Sequence, residues 1–162
     1  MRNPGSSTAH RPQPTTHSTP PVNTDTGTLN SPTDARDASL SSGSVGSLLI
    51  AQTLHATAIG STDQIAAEAS LAGLSLSIAG TSVTADFVQA RATSGTRGVR
   101  TSTVDELAIN GVPIDVSGDA NQTISIPGGA VVINEQNGNA VKALHIVING
   151  VADVVIASAS AQ

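Results

Sequence analysis

Apolar and polar positions are most strongly patterned in the stretch Ala130 to Ile148, AVVINEQNGNAVKALHIVI, where two runs rich in Val, Ile and Leu flank Asn137-Gly138. Asn-Gly favours the positive-φ conformations of a two-residue type I′ turn, so the stretch predicts a β-hairpin. A loop at Asn137-Gly138 sets the register: Gln136 faces Asn139, Ile133 faces Lys142 and Val131 faces Leu144. The bulkier face, Val131, Ile133, Leu144, Ile146 and Ile148, is the predicted inner face, with Lys142 at its rim. Val132, Ala143 and His145 fall on the opposite face.

The same reasoning extends along the chain. Leu74 to Ile78, the turn Ala79-Gly80 and Val83 to Ala92 predict a strand, a turn and a returning strand, with Asp86 and Arg91 in solvent and Phe87 inside. Ile65 to Ala69 has some helix propensity, but the Ser, Gly and Thr around it favour a strand. Thr103 to Val116 is a second Asn-Gly hairpin, pairing Ile109 with Val112 and Leu107 with Ile114. Pro113 has no N–H to donate, so Val112 to Val116 reads as an edge strand. Gln122 to Ile126 is a short strand ended by Pro127-Gly128-Gly129. At the third Asn-Gly, Asn149-Gly150, a two-residue turn would put Asp153 on the core face opposite Ile146. A longer loop through about Ala152 is therefore expected, with Val154 to Ala159 as the last strand.

One spacing, i, i+3, i+5, occurs four times: Val45-Leu48-Ile50, Leu71-Leu74-Leu76, Val104-Leu107-Ile109 and Val141-Leu144-Ile146. It breaks strict alternation once, as a bulge or bend does. Either it is a true repeat, or it is the loose pattern of any chain rich in Val, Leu and Ile. The unequal intervals speak against a regular solenoid.

Composition changes near Val45. Residues 1–42 are rich in Ser, Thr, Pro, Asn and Asp and hold six of the eight prolines. Such a segment cannot bury enough surface to offset its ordering entropy, so it reads as a disordered tail or linker. Residues 43–162 then form a single domain. Short strands, frequent Gly and Asn turns and no convincing helix predict an all-β fold, an antiparallel β-sandwich. Phe87 is the only aromatic residue, so Val, Ile, Leu and Ala must fill the core.

Net charge is −5, with seven scattered Lys and Arg, and this pattern speaks against nucleic-acid binding. There is no cysteine, which excludes disulfides and thiolate chemistry. No apolar run reaches the ~18 residues of a membrane-spanning helix, so no membrane insertion is expected. Arg2 is not followed by the apolar region of a secretory signal.

Catalytic patterns are hard to assemble. No Gly-x-Ser-x-Gly occurs, and His55 and His145 each lie within an apolar strand without an evident partner. Adjacent Asp105 and Glu106 face opposite sides of a strand, a poor layout for a carboxylate pair. His10 and His17 lie in the tail without further ligands for a metal. The polar cluster at the hairpin tip, Asn134, Glu135 and Gln136, together with His145, is the candidate ligand contact. Its carboxylate and amide oxygens suit a cation or polar ligand, and the alternative is that they only solubilise the turn.

At IPGGAVVINEQ (Ile126 to Gln136), VKALHIVI (Val141 to Ile148), VADVVIASASA (Val151 to Ala161) and LAGLSLSIAGTSVTAD (Leu71 to Asp86), the chain resembles the choice-of-anchor P family of bacterial surface proteins. The matching blocks span roughly residues 44–161, and the Asn-Glu-Gln and Ala-Leu-His steps are the most distinctive. The resemblance implies an exported cell-surface or extracellular domain and carries over no catalytic residue. The chain departs from the family in having no cysteine pair, no export signal after Met1 and no sorting signal before Gln162. The resulting expectation is a non-enzymatic structural or interaction module that needs no cofactor or metal and meets an envelope or extracellular partner. The alternative is a β-domain that binds an envelope component or carbohydrate, although few aromatics are present to stack on sugars.

Overall fold

β-Branched and small residues fill most strand positions, and Asn, Gly and Pro separate them, so the chain folds as strands joined by tight turns. The computed structural model describes residues 25–27, 34–40, 43–45, 49–95 and 98–162. The strands are β1 (Ala35–Leu40), β2 (Gly43–Val45), β3 (Leu49–Ala51), β4 (Thr53–Gly60), β5 (Ile65–Ile78), β6 (Thr81–Thr93) and β7 (Arg100–Asp105). They continue as β8 (Ala108–Ile109), β9 (Val112–Pro113), β10 (Gln122–Ile126), β11 (Gly129–Asn137), β12 (Ala140–Ile148) and β13 (Ala152–Ser160). Among the described residues there is no helix, and so none long and apolar enough to cross a membrane.

Two antiparallel sheets result. The larger runs β1-β4-β5-β6-β8-β9, with β2 paired to β3, β3 to β5 and β7 to β6, and the smaller runs β10-β11-β12-β13. They face each other as a sandwich: β13 lies against β5 and β6, β12 against β6 and β7, and β11 against β7. One buried cluster joins Leu71, Leu74, Val83 and Val88 to Val131, Ile133, Leu144 and Ile146. Each buried Val, Leu or Ile contributes about 1.5–3 kcal/mol relative to exposure, so aliphatic packing alone suffices for the core. Phe87 is half-buried rather than inside. Past the β13 edge the larger sheet continues through β4 and β1 as an overhang.

The i, i+3, i+5 spacing has a structural cause in three of its four occurrences. Each sheet bends along a row of residues where inward–outward alternation slips by one. In the larger sheet Gly73 (φ 63) stands between Leu71 and Leu74, and Glu106 (φ 52) between Val104 and Leu107. On β6 between them, burial passes from Ala85 to Val88. In the smaller sheet Asn134 (φ 53) and Ala157 (φ 55) flank Ala143 on β12, and the ladder pairs neither of them with it. A left-handed residue reorients the strand so that two nearby side chains turn to the same face. Val141, Leu144 and Ile146 are consequently all buried. In the first occurrence Leu48 lies outside the described residues and Ile50 is exposed.

The Ala130 to Ile148 hairpin forms with a different register from the one its turn sequence predicts. Asn137 pairs with Ala140, so the loop is Gly138-Asn139 rather than Asn137-Gly138. Gly138 has φ 57 and occupies the first central position, as a II′ turn requires. This register sets Ile133 against Leu144, Val131 against Ile146 and Glu135 against Lys142, matching apolar with apolar and charge with charge. The slip conserves parity, so Val131, Ile133, Leu144, Ile146 and Ile148 are all buried. Ala143 is buried too, contrary to its predicted outward position, because it lies on the bend. Lys142 belongs to the outer face with Glu135, not to the rim of the inner one.

Other junctions differ in detail. Asn110-Gly111, both with positive φ, joins Ile109 to Val112, and β9 stops at Pro113 instead of reaching Val116. Asn149 to Val151 make a three-residue loop, which pairs Asp153 with Val147 and sends its carboxylate outward. The strands are not all short: β5 has 14 residues and β6 has 13. Ala35–Leu40 pairs with β4, so the sheet begins before the boundary drawn at residue 42. The rest of the expected tail, apart from 25–27 and Asp34, lies outside the described residues.

A left-handed non-glycine residue costs about 1–2 kcal/mol, and glycine in a strand costs about 0.5–1 kcal/mol. Ala157→Gly is therefore expected to stabilise by about 0.5 kcal/mol, and Ala157→Val to destabilise. Urea midpoints of the two variants check this, and a lower midpoint for Ala157→Gly contradicts the strain assignment.

Candidate functional site

The register of β11, β12 and β13 separates the four candidate residues into two groups. Asn134 sits on the bend with its side chain buried, at 4% exposure. Its Nδ2 donates to Gly118 O at 3.0 Å, and its Oδ1 accepts from Gln136 Nε2 at 3.2 Å. Gln136 Nε2 also donates to Arg100 O at 3.0 Å, fastening β11 to β7 of the other sheet. Asn121, left-handed at φ 61, closes the group: its N donates to Asn134 O at 2.9 Å, and its Oδ1 accepts from Gln136 N at 3.0 Å. Asn tolerates left-handed backbone, and its amide supplies both a donor and an acceptor. Asn134 and Gln136 thus hold the two sheets and the Gly118 loop together, and their amides are engaged within the protein.

Glu135 and His145 lie on the outer face, joined by Lys142 and Asp153. Lys142 Nζ donates to Glu135 Oε1 at 3.2 Å and Oε2 at 3.3 Å. His145 Nδ1 contacts Glu135 Oε2, and Nε2 contacts Asp153 Oδ1 at 2.7 Å. Both ring nitrogens therefore face carboxylates, and each contact is a hydrogen bond when that nitrogen carries hydrogen. Burial opposes ionisation of Glu135, but Lys142 and His145 more than offset it, holding its carboxyl below the usual carboxylate range. His145 is mostly buried and Asp153 mostly exposed, so the Asp153 contact is the more solvent-screened of the two. Lys142 and His145 share this face despite their odd spacing because the bend at Ala143 separates them.

His55 occupies a second polar group on the outer face of the larger sheet. Its Nε2 lies 2.7 Å from Asp37 Oδ1, and its Nδ1 lies 3.3 Å from Thr57 Oγ1. A carboxylate, an imidazole and a hydroxyl do meet here, but β4 is paired on both sides, with Thr57 between Asp37 and Glu68. The backbone N–H groups of β4 beside it serve the two ladders. The His55 side chain is 43% exposed on an open sheet face. Among the described residues no three His, Cys, Asp or Glu side chains gather as a metal-holding group.

Sequence reasoning missed Lys142 and Asp153 as members of the outer cluster, and Asn121 and Asp37 as partners. Opposite charges at 135 and 142 were the available signal for the first, since they meet only in the observed register. Asp37 lay in the segment assigned to the tail. The chain matches no family model, no curated protein and no solved structure.

Asn134→Ala removes the buried amide and is expected to cost about 1–3 kcal/mol; an unchanged urea midpoint would sink the clamp assignment. Because the folded pKa of Glu135 lies below its unfolded value of about 4.3, its stabilisation is present above that pH and is lost as pH falls through the folded value. The stability advantage of wild type over Glu135→Gln should therefore shrink as the medium is acidified through the carboxylate range. Urea titrations at a series of pH values measure this, and a constant difference would contradict it.

Proposed function

We propose that the chain is a non-enzymatic module of the cell surface or extracellular space that serves structure or interaction. The observation that carries this reading is that the Glu135-Lys142-His145-Asp153 cluster satisfies itself. Its charges meet one another across three strands, and both nitrogens of its imidazole are engaged. Each ring nitrogen already faces a carboxylate of the same cluster, which supports a structural role for this imidazole. The cluster instead ties the edge strand β13 to β12 and β11. The resemblance of Ile126 to Gln136 and Val141 to Ile148 to choice-of-anchor P proteins supports an exported location. An acidic net charge with few scattered cations speaks against nucleic acid as the partner.

A second reading, a β-domain that binds an envelope component or carbohydrate, is favoured by the meeting of Glu135 and His145 on the outer face of the smaller sheet. A single Phe and no Trp or Tyr weaken its carbohydrate form, because sugars stack on aromatic rings.

Protease treatment of intact source cells tests the location. The domain is expected to be cut or released while a cytosolic marker survives; a domain protected until the cells are lysed would overturn the surface assignment.

A further inference from the structure

The sandwich is stepped. The smaller sheet ends at β13, while the larger sheet continues beneath and beyond it through β4 and β1. A trough occupies the step. One hollow of about 710 Å³ is lined by Ser158, Ala159 and Ser160 on the β13 side and by Ala56, Ala58 and Ala67 among the floor residues. A second, of about 160 Å³, follows β13 from Val155 to Ser158 over Leu54 and Leu71. The two share Ala69 and Ser158, so they run on from one another along the strand.

Among the described residues β13 pairs with β12 alone, and none of them lies as a strand along its other edge. Among the other edges, β1 carries Arg36 and Asp37, β9 is two residues long and ends in Pro113, and β10, though uncharged, has five residues against the nine of β13. β13 presents nine residues with one charged side chain, Asp153. The alanine floor matters for the same reason. In a filled sandwich both layers contribute bulky side chains to a space about 10 Å deep. Here the floor of the larger hollow is Ala56, Ala58, Ala67 and Ala69 beside the single bulky Ile65, so a strand laid on β13 there would have to bring the bulk itself.

Charge limits the occupant further. Residues 25–162 contain five Lys and Arg against twelve Asp and Glu. Asp25 and Glu68 line the larger hollow, and the ammonium of Lys142, the one cation among its described lining residues, is held by Glu135. A cationic segment is drawn to this surface and an anionic one repelled.

We propose that β13 is a strand-acceptor edge, and that the trough takes an extended peptide of a partner protein with bulky aliphatic side chains alternating with Lys or Arg. Aliphatic side chains would rest on Ala56, Ala58, Ala67 and Ala69, the backbone would extend the β13 ladder, and the cations would point to solvent above the acidic domain. This inference rests on the reading of the chain as an interaction module, and it names the chemistry of the partner.

The test uses the full chain and three labelled peptides about eight residues long, the number that spans such an edge at ~3.3 Å each. One alternates Leu with Lys, one alternates Leu with Glu, and one has the Leu-Lys composition in blocks. The alternating Leu-Lys peptide is expected to bind at least tenfold more tightly than the others, more weakly as salt rises, and to slow amide exchange in β13. Ala67→Leu, which fills the floor, should weaken binding at least tenfold; the wild-type exchange map decides the matter even if that variant fails to fold. Equal binding of the Leu-Glu peptide, or slowed exchange elsewhere but not in β13, would overturn the proposal. So would β13 amides already protected before any peptide is added, whether by a second copy, seen as concentration-dependent association, or by residues 1–24. Failure here leaves surface exposure on intact cells untouched, and a domain shielded inside cells could still bind the peptide, so the two readings fail separately.

Discussion

Every long strand of the core crosses a bend in its sheet, and the residues at that bend decide which side chains reach the interior. Gly73 and Glu106 flank β6 in one sheet, and Asn134 and Ala157 flank β12 in the other, all with positive φ. Without the slip in alternation, Leu74 and Leu107 would leave the face that Leu71 and Val104 occupy. With it, a chain that has one Phe and no larger aromatic still brings its Leu, Ile and Val side chains into a single cluster. Gly73 also has a neighbour-imposed role: a Cβ there would come within 2.9 Å of the Gln52 side chain. Backbone geometry and packing thus call for the same residue.

The bend organises the outer surface as well. It puts Lys142 on the same face as His145, and the three-residue loop before β13 turns Asp153 outward to meet the ring. The resulting network spans β11, β12 and β13 on the side away from the core. On the inner side, Asn134 and Gln136 bind the smaller sheet to Arg100 and Gly118. Neighbouring residues of one strand therefore reinforce it from opposite faces. The edge strand tied by this network is also the one that borders the trough, so the polar cluster braces that edge from the outer face.

Much of this was legible in the chain. Alternation and turn residues identify an all-β protein, and the strand β10 is found with the bounds its pattern suggested, Gln122–Ile126. The pair Ile109–Val112 follows from Asn110-Gly111, because both residues accept left-handed backbone. The candidate cluster was only half legible. Asn134, Glu135, Gln136 and His145 were recognisable as polar residues in an apolar hairpin, but their division between clamp and outer network depends on the bend at Asn134, which a period-two pattern does not reveal.

Parity explains where the boundary falls. Whether a side chain points inward depends on its own strand, so the inner face of Val131, Ile133, Leu144, Ile146 and Ile148 survives a change of pairing that leaves odd and even positions in place. Which residue it faces depends on a second strand, and local turn propensity at Asn137-Gly138 competes there with cross-strand matching of Glu135 to Lys142 and Ile133 to Leu144. The sequence by itself determined the strands from Ile65 onward, most of their inward faces and the aliphatic character of the core, while β1 was hidden in a polar segment. Tertiary structure decided the register, the grouping of polar residues and the step beside β13, because each arises from pairing between segments that local preferences leave open.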